Sequence, residues 1–228
     1  MSTSQTVLRS AALLALFAFL GTALVAATYQ GTRDQIRENE RLALLNSLRQ
    51  LVPESDYDNN LLEERITLPA HPLLGSDEER FAYLAKLHGQ VHTVLLEVSS
   101  REGYTGTINL LVAIHKSGEV AGVRTLSHAE TPGLGDLIEI KKSEWILGFN
   151  GHSLDNLTRQ QWQVKRDGGT FDQFTGATIT PRAVVKAVYR ALRYFNQQRD
   201  KLLLKPTPSN KPPSKQHPEE NREKRDEQ

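Results

Sequence analysis

Thr107-Ile108-Asn109-Leu110-Leu111-Val112-Ala113-Ile114-His115, then Lys116-Ser117-Gly118-Glu119, then Val120-Ala121-Gly122-Val123-Arg124-Thr125-Leu126 reads as two strands joined by a tight turn. Aliphatic and β-branched residues fill both runs, and a polar segment with one glycine separates them, the pattern of a hairpin. In the first run the apolar residues are consecutive rather than alternating. Such a strand is expected to be covered on both faces. Val91–Val98 predicts a further strand just upstream.

Downstream, Ser127–Gly135 reads as a loop, and Asp136–Phe149 as one or two short helices. Trp162–Lys165 predicts a short strand, with Asp167-Gly168-Gly169 as a turn. A long helix is expected from Thr180, with Thr180 as its cap and Pro181 at its first position. Val184, Val185, Val188, Ala191, Leu192 and Phe195 recur at helical spacing and form its inward face.

The N-terminal region follows different rules. Residues 10–29 carry no charge and are mostly Ala, Leu, Phe and Val. About 20 such residues suffice to cross a bilayer as a helix. A cleaved secretory signal is the competing reading, with Val25-Ala26-Ala27 as its small-residue site. The apolar run is longer than a usual signal core, and no polar segment precedes that site, so a retained anchor is favoured. Residues 30–53 predict a polar to amphipathic helical stalk ended by Pro53. Residues 205–228 are dominated by Pro, Lys, Glu, Arg and Asn, a composition that predicts a disordered charged tail.

Charge and composition narrow the function. Lys plus Arg total 28 and Asp plus Glu 27, for a net charge of +1. This balance gives no reason to expect nucleic acid as a partner. There is no cysteine, which excludes a Cys-ligated iron–sulfur cluster, a C-x-x-C-H haem attachment and a thiol relay. The only methionine is Met1, which argues against Met-ligated haem.

The stretch Asp172-Gln173-Phe174-Thr175-Gly176-Ala177-Thr178 carries the chemistry. Small residues at 176 and 177 let bulky atoms approach the backbone. The helix that follows offers unpaired N–H groups and a partial positive charge, which favour a phosphate. Arg182 and Lys186 are expected to add charge. On physics alone, an ordinary capped turn is the commoner explanation of the pattern.

The string resembles the flavinylation motif of the FMN-binding domain family. Gly168–Val185, together with Gly103-Tyr104-Thr105-Gly106 and Glu130-Thr131-Pro132-Gly133-Leu134-Gly135, is similar to the G subunits of Rnf (Rsx) ion-translocating electron transport complexes. The E-T-P-G-L-G element is shared with C subunits of sodium-pumping NADH:quinone reductases. The resemblance runs from the anchor to about residue 196.

It implies an α+β fold: one transmembrane helix, then an FMN-binding domain of mixed or antiparallel sheet and helices, as one body or two lobes. The implied organisation is a cytoplasmic segment 1–9, the anchor 10–29, the stalk 30–53, an extracytoplasmic FMN-binding domain 54–204 and the tail 205–228. FMN would be held covalently, as a phosphoester on Thr178, placed there by a flavin transferase that uses FAD and releases AMP. Thr175, Gly176 and Ala177 would shape the attachment loop, and Asp172 would serve recognition during modification. Glu130, Thr131, Pro132, Gly133, Leu134 and Gly135 would form the loop beside the flavin ring. No side chain is implied as catalytic and no metal site. Partners would be the other subunits of the complex, the transferase and membrane lipid, in a bacterial inner membrane with the bulk of the chain periplasmic. The charges flanking the span, Arg9 before and Arg33, Arg37 and Arg41 after, favour the opposite orientation, so the periplasmic placement rests on the resemblance. The alternatives are a stand-alone flavin reductase and a cofactor-free assembly module.

Other residues have simpler readings. His88 and His92 stand at i, i+4 but lack an evident third ligand. Trp145 and Trp162 are expected in the core. Glu130 and Asp136 suggest an acid–base pair, although loop carboxylates are usually solvated.

Overall fold

The computed structural model describes residues 3–204, which divide into two compact units after Gln50. The expected tail 205–228 lies outside the described residues. The first unit lies within helix α1, Thr3–Leu51. The segments predicted as anchor and stalk therefore lie in one uninterrupted helix. Its apolar residues, among them Leu13, Leu14, Phe17 and Leu24, are exposed, and the helix is long and apolar enough to cross a membrane. At the end of the apolar run, Thr28 and Thr32 donate their hydroxyls to the carbonyls of Leu24 and Thr28, each at 2.9 Å. These bonds satisfy the hydroxyls without water.

The second unit is built on a five-stranded antiparallel sheet in chain order: β1 Arg65–Leu68, β2 Arg80–Leu87, β3 Gln90–Ser100, β4 Ile108–His115 and β5 Val120–Ser127. The predicted hairpin is β4–β5, with Val112 opposite Val123. Leu110, Leu111, Val112, Ala113 and Ile114 are all fully buried, so both faces of β4 are covered. Leu110, Val112 and Ile114 face the main core, to which helix α2 (Ile179–Leu203) contributes Val184, Val188, Leu192 and Phe195.

The sheet is wholly antiparallel and the folded domain is one unit, both within the implied architecture. Other expectations change. β1 and β2 were not evident from sequence: β1 is four residues long, and Arg-Phe-Ala-Tyr-Leu-Ala-Lys-Leu in β2 lacks strand alternation. Burial against β3 overrides its helix-forming Ala, Leu and Lys content. His88 belongs to the β2–β3 turn, with φ +54°, and His92 to β3, so they share no helix face. Trp162–Lys165 forms only an isolated parallel bridge, Val164 to Phe171. Residues 136–149 do contain two short helices, Gly135–Ile138 and Glu144–Phe149, both of 3-10 type.

Helix α2 begins earlier than expected. Thr178, not Thr180, occupies the cap position, and Pro181 is the third helical residue. Proline is still tolerated there because first-turn N–H groups have no intrahelical partner.

Candidate functional site: a cleft at the start of α2

A turn built from local sequence presents Thr178. The N–H of Ala177 bonds the carbonyl of Phe174 at 3.2 Å. Gly176 at its bend has φ +82°, a conformation that glycine adopts without strain. The turn is anchored from outside. Trp145 donates its indole N–H to the carbonyl of Asp172 at 2.8 Å and packs edge-on against Phe174, with ring centroids 5.0 Å apart. Trp162, Phe149 and Phe171 extend this aromatic cluster. Both tryptophans are thus packing residues.

The turn forms one wall of a cleft of about 290 Å³. Glu130, Thr131, Leu134, Gly135, Gly176, Ala177 and Thr178 line it, together with Tyr104, Ile179 and Thr180. The two sequence elements, far apart in the chain, converge here. Asp172, Thr175, Pro132 and Gly133 do not line the cleft. Asp172 is exposed and pairs with Lys165 at 2.7 Å. Tyr104 belongs to the G-Y-T-G element, and its sequence context signals no role for it. Its 68% exposure beside the cleft depends on a long-range contact that no local pattern announces.

Glu130 provides that contact. It is only 4% exposed, not the solvated loop carboxylate expected. Its carboxylate accepts from the N–H groups of Tyr104 (3.2 Å) and Thr105 (3.1 Å), from the Thr105 hydroxyl (3.1 Å) and from the Thr180 hydroxyl. One side chain thus ties residues 104–105, its own loop and the first turn of α2 together. This also explains why Thr180 does not cap the helix. Gly135 is required by the close approach: a Cβ there would lie 2.9 Å from both Glu130 Cβ and Thr180 Oγ1. Glu130 has no bond to Asp136, and its acceptor capacity is committed to structure, so the acid–base pairing does not form. His128 holds the loop from the other side. Its Nδ1 accepts the Glu130 N–H at 3.0 Å, and Nε2 is 3.0 Å from Glu139.

Burial opposes ionisation of Glu130, but the hydrogen bonds from Thr180, Thr105 and Tyr104 together outweigh it and hold its pKa below the ordinary glutamate value. A depressed folded pKa adds stability above the unfolded value of about 4.3, and this is lost as pH falls through the folded pKa. Glu130→Gln is therefore expected to be less stable than the parent at pH 7, with the difference shrinking below about pH 4. Chemical denaturation at both pH values checks this.

The residues suit a flavin phosphate. The Thr178 hydroxyl makes no capping hydrogen bond, and the first turn of α2 contains no acidic residue. Arg182 and Lys186 do not line the cleft. They pair instead with Asp167 (2.6 and 2.5 Å) and Glu102 (2.7 Å). The positive potential at Thr178 therefore comes from the helix end. Leu134 and Tyr104 offer exposed apolar surface for a planar ring.

Comparison with known proteins agrees with this architecture. The FMN-binding domain family matches residues 103–193, and the RnfG N-terminal region matches residues 1–51. The G subunit of the ion-translocating oxidoreductase complex of Pseudomonas aeruginosa (strain UCBPP-PA14) is 50% identical over 202 residues, covering 89% of this chain and 94% of the relative. Its counterpart in Shewanella loihica is 48% identical over 202 residues, 89% and 95% of the two chains. That of Vibrio cholerae (strain ATCC 39541) is 46% identical over 196 residues, 86% and 93%. The chain belongs to the family of G subunits of ion-translocating oxidoreductase complexes, with an FMN-binding domain behind one apolar N-terminal helix.

Proposed function

We propose that this protein carries FMN as a phosphoester on Thr178 and relays electrons between other subunits of its complex. The observation that supports this best is the uncommitted Thr178 hydroxyl at the start of α2, facing the loop that Glu130 secures. In the maturation step, Thr178 Oγ1 bonds to the phosphorus of the FMN half of FAD. The pyrophosphate bond breaks, AMP leaves, and the hydroxyl proton passes to a base of the flavin transferase. When bound, FMN supplies the electron chemistry. The chain would hold it: the N-terminal end of α2 would receive the phosphate, Gly176 and Ala177 would leave room, and Leu134 and Tyr104 would offer apolar surface to the ring. Asp172 and Thr175, outside the cleft, present the string to the transferase; Pro132 and Gly133 shape the facing loop. Digestion of protein from its native host, followed by peptide mass mapping, tests the reading. The peptide containing Thr178 should carry the mass of FMN less one water; a peptide always unmodified overturns it.

We also propose that α1 spans the bacterial inner membrane through residues 10–29 against lipid, with 1–9 cytoplasmic, 30–53 as stalk and the folded domain periplasmic. The chain has no cysteine, so a single reporter is clean. Ser117→Cys, exposed in the β4–β5 turn, is expected to react with a membrane-impermeant maleimide in spheroplasts. Labelling only after lysis would reverse the orientation.

A further inference from the structure

A second cleft, of about 470 Å³, lies beside α2 and shares no lining residue with the first. Leu73, Trp162, Val164, Val185 and Tyr189 give it an apolar floor. Its edges carry Arg159, Arg182, Lys186, Arg190 and Arg193, against only Glu102 and Asp167. Those two carboxylates are already engaged: Asp167 by Arg182, and Glu102 by Lys186 and Arg190. Arg159 and Arg193 are exposed and have no carboxylate partner among the described residues. Trp162 is only 4% exposed, and its indole N–H has no acceptor; the Arg190 Nε–H is likewise buried and unpaired.

The cleft continues into a hollow of about 250 Å³ that shares Arg159, Tyr189 and Arg193 and reaches Asn196 and Gln197. At 1.5 Å of rise per residue, the groove follows α2 for about 22 Å from Arg182 to Gln197. An extended peptide of about seven residues covers that distance. A single phosphate or lipid headgroup is matched by convergent donors; here the cations are spread along a line over an apolar floor. Guanidinium groups bind carboxylates in a bidentate fork, and Arg, Trp and Tyr are the side chains that dominate protein–protein contacts.

We propose that this groove docks an acidic peptide segment of a partner protein, its carboxylates on Arg159 and Arg193 and an apolar side chain on Tyr189. The proposal is independent of the flavin reading.

The test uses the full chain in neutral detergent. It is titrated calorimetrically with a blocked seven-residue peptide of alternating glutamate and leucine. Binding is expected, and Arg159→Gln combined with Arg193→Gln should weaken it at least tenfold without changing the melting temperature or the FMN content. Replacing glutamate by glutamine in the peptide should abolish binding. The proposal is overturned if the peptide fails to bind at millimolar concentration or binds the double variant equally well. It is also overturned if inorganic phosphate displaces the peptide at equimolar concentration, which marks a small-anion site. Phosphatidylglycerol vesicles that bind through the same two arginines while the peptide does not would overturn it in favour of lipid.

Discussion

Thr178→Ala is expected to remove covalent flavin completely. The intact mass should fall by one bound FMN beyond the side-chain change, and the denatured band should lose its flavin fluorescence. The expectation follows from the chemistry of one atom: the phosphoester needs the Thr178 oxygen, and alanine has none. The fold should not suffer, because that hydroxyl makes no capping bond. Its loss should therefore cost less than the roughly 1 kcal/mol typical of a working cap. Two companions separate nucleophile from shape. Thr178→Val keeps the side-chain volume but lacks the oxygen and should remain unloaded. Thr178→Ser keeps the oxygen and should be loaded at least in part. An adduct surviving in the alanine variant would move the attachment elsewhere.

Phe149→Ala is expected to produce the largest loss of stability. Phe149 is fully buried and stacks on Phe171 at 4.6 Å, with Trp145 edge-on at 5.3 Å and Trp162 at 6.5 Å. Truncating a buried phenylalanine costs about 3–5 kcal/mol. For a domain of this size, that lowers the melting temperature by about 10 °C. Near-ultraviolet circular dichroism of the full chain in detergent measures it. The same change should also reduce flavin loading, because this cluster reaches the attachment string through Trp145, which holds Phe174 and the Asp172 carbonyl. Tyr104→Ala is the contrast. That ring is 68% exposed, so stability should barely change, and any effect should appear in the properties of the bound flavin. If Phe149→Ala melts like the parent, the cluster does not support the domain.

Much of this was legible from residue pattern alone. The apolar run 10–29, the β4–β5 hairpin and the inward stripe of α2 each follow from local periodicity, which backbone geometry converts directly into buried and exposed faces. The start of α2 was displaced by two residues because the Thr180 hydroxyl is taken by a carboxylate fifty positions away. β1 is too short to signal itself and β2 does not alternate; pairing of β1 to β2 and of β2 to β3 makes them strands. Arg182 and Lys186 look like phosphate ligands when the helix is read by itself, yet Asp167 and Glu102 draw them to the other cleft.

By itself, the order of residues determined a membrane-type helix, a hairpin, a long amphipathic helix and a threonine set among small residues at that helix's start. Only the tertiary structure decided that residues 104, 130, 131, 134, 135 and 176–180 meet around one cleft, with Glu130 as the common acceptor. The physical reason is that a buried carboxylate must find its donors wherever the folded chain supplies them. Those donors come from segments whose separation along the sequence leaves no periodic trace.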